Sequence, residues 1–264
     1  EDGFQGKVAG GWARDPGEGA LRMSTFRPGN IGSAAKLYAG VALMRLLETQ
    51  GPDLLTTLDQ SIADYLPFRW VPNLSDAHKA ITFRMLLSHT SGFDDIDSDL
   101  APENREDHPD YFHFTSALSA TQGCYNYANE NYRIMTFLIP RLANPMAMQA
   151  LENAYQDANF EVYLDEMRDG HGLAFEKYMD EQFFPLVDGN FNPGCDPAND
   201  YPAGATALMY SSPNDTAGLQ WSQKELSGFC RGQGGYWTTA QELTRFLSSA
   251  STAGATNRAA SRLD

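Results

Sequence analysis

The sequence predicts a mixed α/β protein, and three observations carry that expectation. Short extended segments at residues 6–14 and 22–28 flank the turn former Asp15-Pro16-Gly17-Glu18-Gly19. They deliver the chain to an apolar helix over residues 33–48, whose only charged side chains are Lys36, Arg45 and Glu48, the pattern of a helix buried almost all round. Further helical signals follow at Thr57–Leu66, at Thr82–Ser88 with Thr82 as cap and Gly92 as stop, and at Tyr132–Leu142.

The 264 residues can bury a full core, as one large domain or two interleaved lobes. Asp and Glu outnumber Lys and Arg by 34 to 19, and the resulting formal charge of −15 repels phosphate backbones and anionic lipid, which argues against nucleic-acid binding. Such an acidic surface also suits an extracellular setting, and a periplasmic or secreted protein is expected. No apolar run approaches the ~20 residues needed to span a bilayer. Cys124, Cys195 and Cys230 lack metal-ligand spacing; one disulfide between Cys195 and Cys230 would leave Cys124 free, though spacing alone leaves the pairing open.

Ser33 and Lys36 open the most apolar helix. A serine at a helix start caps free backbone N–H groups whether or not chemistry follows. Lys36 points further, because three residues on it shares a helical face with Ser33. A lysine among apolar neighbours can shed its charge and take a serine's proton, and the helix N-terminus favours the oxyanion that results.

Later stretches add to this pair, in order. They are Ile81-Thr82-Phe83-Arg84-Met85-Leu86-Leu87-Ser88-His89-Thr90-Ser91-Gly92-Phe93, then Tyr127-Ala128-Asn129, then residues 174–186 ending Phe184-Pro185-Leu186, then Gly234-Gly235-Tyr236-Trp237-Thr238-Thr239-Ala240-Gln241-Glu242-Leu243. Together with Ser33-x-x-Lys36 they resemble the serine β-lactamase and penicillin-binding-protein superfamily, in its branch of class C β-lactamases, esterases and D-aminopeptidases. The resemblance covers roughly residues 22–249, and ordered co-occurrence is far more specific than any one motif. It implies an α/β lobe from residues 1–49 and 190–264, with a largely antiparallel sheet contributed by both chain ends and flanked by helices. An all-helical lobe over 50–189 is inserted, with the site between the two.

By the same resemblance Ser33 is the nucleophile, Lys36 its base or electrostatic partner, Tyr127 a proton shuttle, and Asn129 a substrate-binding amide that orients Lys36. Tyr125-Asn126 and Tyr132 are nearby decoys for the Tyr-x-Asn register. His89 also invites a Ser-His-Asp reading with Asp94 or Asp95. The Ser-x-x-Lys pair removes the need for an imidazole, and the resemblance makes the His-Thr-Ser-Gly turn structural.

No cofactor is expected. Asp95, Asp97, Asp99 and Glu106 fall at calcium-loop spacing, but Leu100 stands where such a loop needs glycine, so a solvated loop is expected there. The glycine-rich run 231–235 lacks strand-to-helix context and reads as a turn.

The resembled family closes its site with Lys-Thr-Gly or His-x-Gly on a strand after the Gly-Gly helix, and the polar stretch 248–264 holds no candidate for it. The expectation is therefore that C-terminal strands are missing, and that a continuation or a second chain completes the site and its second oxyanion donor. The expected function is that of a serine hydrolase acting on an ester, a D-amino-acid peptide or amide, or a β-lactam, with an esterase or peptidase favoured. The rival is a non-catalytic binding or assembly module that keeps the fold.

Overall fold

A computed structural model describes residues 6–51, 53–94, 111, 114–115, 118, 120–187, 191–210, 217–220 and 230–249. The acidic stretch with Asp95, Asp97, Asp99 and Glu106 lies outside them. The chain divides into two compact units, one of residues 1–32, 180–228 and 235–264, the other of residues 33–179 and 229–234.

In the first unit, β1 (Trp12–Arg14) pairs antiparallel with β2 (Leu21–Arg22). Between them Asp15 accepts the Gly17 N–H at 2.8 Å and turns the chain, as Asp-Pro-Gly sequences do. β3 (Gly29–Asn30) pairs antiparallel with β4 (Trp237–Thr238), so segments from near the two ends of the described chain share a two-stranded ladder. A helical run at 240–249 follows β4, and its Phe246 stacks on Phe191 at 5.8 Å. Phe183, Phe184 and Tyr236 complete this buried aromatic cluster.

The second unit is helical in its described residues. Its longer helices are α1 (Lys36–Leu47), α6 (Met135–Ala143), α7 (Pro145–Ala154) and α8 (Phe160–Tyr178). Between them lie α2 (Leu54–Leu58), α3 (Asp76–Lys79), α4 (Phe83–Leu87) and α5 (Glu130–Arg133). Helix α1 packs on α5 and α6, and α6 on α8. Lys36, Tyr38, Ala39, Gly40, Ala42, Leu43 and Leu47 are buried, while Leu37 and Met44 are partly exposed, so α1 keeps a narrow open strip where burial on nearly every face was expected. Trp70, 1% exposed, sits at the centre with Phe137 at 4.7 Å and Tyr111 at 5.6 Å. Large rings dominate such a core because each removes 150–250 Å² from water.

Two helices differ from expectation. In place of Thr57–Leu66 the chain forms α2 and a short 3₁₀ turn at Ala63–Tyr65. Asp53 accepts the Thr56 N–H at 2.9 Å and starts the helix early. The Ile62 N–H donates to Ile81 O at 3.0 Å, which pulls residues 61–62 into an extended contact and stops it. The Tyr132–Leu142 helix starts at Glu130 and divides at Ile134 into α5 and α6. Thr82 does cap α4, accepting the Met85 N–H at 3.2 Å. Gly92 is not its stop: α4 ends at Leu87 with Ser88 as C-cap and His89 left-handed just beyond, and Gly92 turns the chain further on at φ 94°, where a Cβ would meet Ala120 O at 2.9 Å.

His171 of α8 is fully buried against Phe137, with Nδ1 at 2.9 Å from Met167 O. Burial lowers its pKa from 6.5 to about 4. The unfolded chain therefore binds the extra proton first, and stability present above pH 6.5 is lost as pH falls toward 4. Urea unfolding of His171→Leu should show a shallower loss of stability over that window than the wild type; equal slopes would show that His171 does not contribute.

Candidate active site

Ser33 lies in a tight 3₁₀ turn, Gly32–Ala35, that runs directly into α1. Its hydroxyl does not cap the helix: Ala35 holds the cap position and no side chain bonds there. Instead Ser33 Oγ lies 3.2 Å from Lys36 Nζ and accepts the Tyr127 O–H at 2.8 Å. Lys36 is 6% exposed, and its Nζ also donates to Asn129 Oδ1 at 2.8 Å and to Gln233 O at 2.6 Å. The rings of Tyr127 and Tyr132, at 5.1 and 5.9 Å, add a favourable electrostatic field for the cation.

Ser33, Lys36, Tyr127 and Asn129 are thus brought together within one compact unit. The decoy tyrosines point elsewhere: Tyr125 is exposed, and the Tyr132 hydroxyl donates to Leu87 O at 3.3 Å. Asn129 holds the N-cap position of α5, where its carbonyl accepts the Tyr132 and Arg133 N–H groups at 2.9 Å each, leaving its side-chain oxygen for Lys36.

Gln233 is the participant that sequence reasoning missed. It contributes a backbone carbonyl, which any residue type carries, so no side-chain signal could have named it. The turn that presents it does have a signature. A Cβ on Gly232 would lie 2.5 Å from Tyr132 O, and only glycine lets this turn press so close to α5. The Gly232 N–H donates to Thr136 Oγ1 at 3.2 Å, and Arg133 Nε donates to Gln233 Oε1 at 2.8 Å. Both bonds fix the carbonyl that faces Lys36.

His89 does not face Ser33. It sits at φ 54°, just beyond α4, and its Nδ1 accepts the Ala128 N–H and the Asn131 amide, each at 3.2 Å. Burial first, and then the Lys36 charge, hold its pKa below the ordinary imidazole value. Its ring stacks on Tyr127 at 4.6 Å. Among the described residues no group of His, Cys, Asp and Glu could hold a metal ion. Cys195 and Cys230 are disulfide-bonded, and Cys124 is free and exposed.

A serine hydroxyl between an amine and a phenol is an arrangement for moving protons around an acyl-transfer nucleophile. The β-lactamase family model matches residues 6–264, so the chain belongs to that family, which is of the serine-hydrolase type. Many solved structures share the fold, three among them as follows. A class C β-lactamase from Rhodobacter sphaeroides matches at 16% identity and TM-score 0.58, over 90% of this chain and 54% of that one. A mutant simvastatin synthase from Aspergillus terreus matches at 18% and 0.59, over 90% and 55%. A D-amino acid amidase from Ochrobactrum anthropi matches at 20% and 0.51, over 90% and 59%. The chain therefore spans between about half and three-fifths of the length of these structures. No curated protein matches it.

Because Arg133 holds the Gln233 side chain, Arg133→Met should loosen the turn that faces Lys36. Labelling of Ser33 by a fluorophosphonate, followed by intact-mass spectrometry, should slow by ~10-fold with an unchanged circular-dichroism spectrum, as small displacements of reacting groups do. Labelling at the wild-type rate would remove Arg133 from the site.

Proposed function

We propose that this protein is a serine hydrolase that works through an acyl-enzyme on Ser33, with an ester or a D-amino-acid peptide or amide favoured over a β-lactam. The observation that carries the reading is the line Lys36 Nζ, Ser33 Oγ, Tyr127 Oη, with separations of 3.2 and 2.8 Å. Once its third proton is given up, Lys36 keeps two N–H groups on Asn129 Oδ1 and Gln233 O, and its lone pair faces the serine hydroxyl. Ser33 Oγ bonds to the substrate carbonyl carbon as its proton passes to Lys36. The ammonium so formed has an acceptor for each of its three N–H groups. Tyr127 supplies the phenolic proton to the departing oxygen or nitrogen and recovers one from the water that releases the acyl group, while the Lys36 ammonium returns its proton to the freed Ser33 Oγ.

Support for the substrate class is at the level of family and fold. The structural relatives include a D-amino acid amidase and a class C β-lactamase, whose names share attack on a carbonyl and little else. Among the described residues no helix is long and apolar enough to cross a membrane. The disulfide state of Cys195 and Cys230 supports a periplasmic or secreted location, since such bonds persist in oxidising compartments. The lobe bounds 1–49, 50–189 and 190–264 are proposed as the architecture, as is completion of the site by a further segment or second chain.

Reaction with a fluorophosphonate should give one adduct, on Ser33, and p-nitrophenyl esters should turn over. An unlabelled, inactive protein would favour the non-catalytic module instead. Lys36→Arg should fold and lose activity on the order of hundreds-fold, since a guanidinium stays protonated and cannot accept the serine proton; wild-type acylation in that variant would remove Lys36 as the base. Tyr127→Phe should cut turnover while barely moving the melting temperature, because the phenol is partly exposed and makes its bond to Ser33 rather than to the core. Unchanged turnover with a large drop in melting temperature would make Tyr127 a structural residue.

A further inference from the structure

We infer that His89 is a positioning residue for Tyr127, gripping both the chain on either side of it and the face of its ring; this rests on the proposed role of Tyr127 at Ser33. Three contacts carry the inference. The His89 carbonyl accepts the Asn126 N–H at 2.8 Å, and His89 Nδ1 accepts the Ala128 N–H at 3.2 Å, so residues 126 and 128 are both tied to one side chain and its backbone. The imidazole lies 4.6 Å from the Tyr127 ring at an interplanar angle of 25°, a stacked contact that sets the plane in which the phenol swings. On its other sides the ring meets Tyr132 at 5.2 Å and the edge of Tyr125 at 6.1 Å.

Asn131 locks the arrangement. It is fully buried, and its amide donates to His89 Nδ1 at 3.2 Å and to Ala128 O at 3.3 Å while its Oδ1 accepts the Ser91 hydroxyl at 2.6 Å. Ser91, Asn131 and His89 thus form a cradle under the segment that carries Tyr127. Nδ1 is used only as an acceptor, so the ring is neutral with its proton on Nε2. A second proton at Nδ1 would face two donors, and the charged or titratable groups around the ring are Lys36, Tyr125, Tyr127 and Tyr132. The left-handed backbone at φ 54° is unusual for a residue other than glycine or asparagine. It closes the C-terminal cap of α4, where the His89 N–H donates to Leu86 O at 3.2 Å and the Thr90 N–H to Met85 O at 2.9 Å.

A double-mutant cycle on Ser33 acylation separates positioning from mere stability. His89→Asn suits the left-handed backbone and keeps an acceptor near the site of Nδ1, but removes the stacked ring. It should slow fluorophosphonate labelling by ~10–100-fold with a urea midpoint close to wild type. In the Tyr127→Phe background the same substitution should change the rate less than about twofold, because the group it positions is already gone. His89→Gln serves in the same cycle if His89→Asn does not fold. Labelling of the single variant at the wild-type rate, or an equal slowing in the Tyr127→Phe background, would overturn the positioning role and leave the proposed function standing. A wild-type protein that cannot be labelled at Ser33 would overturn both.

Discussion

The ammonium of Lys36 is the interaction on which the rest of the helical unit's centre depends. A buried charge without partners costs several kcal/mol, and a lysine has three N–H groups to place. Here the three acceptors come from three separate places in the chain, Ser33 before α1, Asn129 before α5, and the carbonyl of Gln233 in the turn after Cys230. One cation therefore ties together segments that the sequence holds about 100 and 200 residues apart. Burying a lysine on a helix that otherwise carries Tyr38, Ala39, Ala42 and Leu43 inward is tolerable only because that set is complete.

Everything next to the cation keeps those acceptors in place. Gly232 lets the turn approach α5 and Arg133 holds the Gln233 side chain. Ser91, Asn131 and His89 hold the Tyr127 segment from beneath. These are short polar contacts in a setting otherwise lined by rings and aliphatic chains, where a hydrogen bond is stronger and an unpaired group more costly than in water. A substitution in that layer should therefore be felt at Ser33 even though it touches no reacting atom.

Much of this was legible in the sequence, and for definite reasons. Ser33 and Lys36 were legible because their spacing on a helix is geometry in itself, and Thr82 because a cap needs only its own hydroxyl and the next turn. Tyr127 and Asn129 were legible only through the ordered likeness to a family, since the residues 125–132 offer several tyrosines and asparagines to choose from. Gln233 was not legible, because a carbonyl has no letter of its own. The ring of His89 was visible but its work was not, since stacking depends on how α4 and the 124–129 segment meet. The helix expected at Thr57–Leu66 failed for a similar reason: a tertiary bond from Ile62 to Ile81 outweighed local helical preference.

The disulfide state of Cys230 has a consequence beyond stability. Cys230 stands three residues before Gln233 and is buried, its N–H at 3.3 Å from Glu176 Oε2. A covalent tether at that point shortens the free chain leading into the turn and lowers the entropy it must give up to hold its shape. The carbonyl that lies 2.6 Å from Lys36 is thus presented by a stretch that begins at a buried, disulfide-bonded cysteine only three residues away.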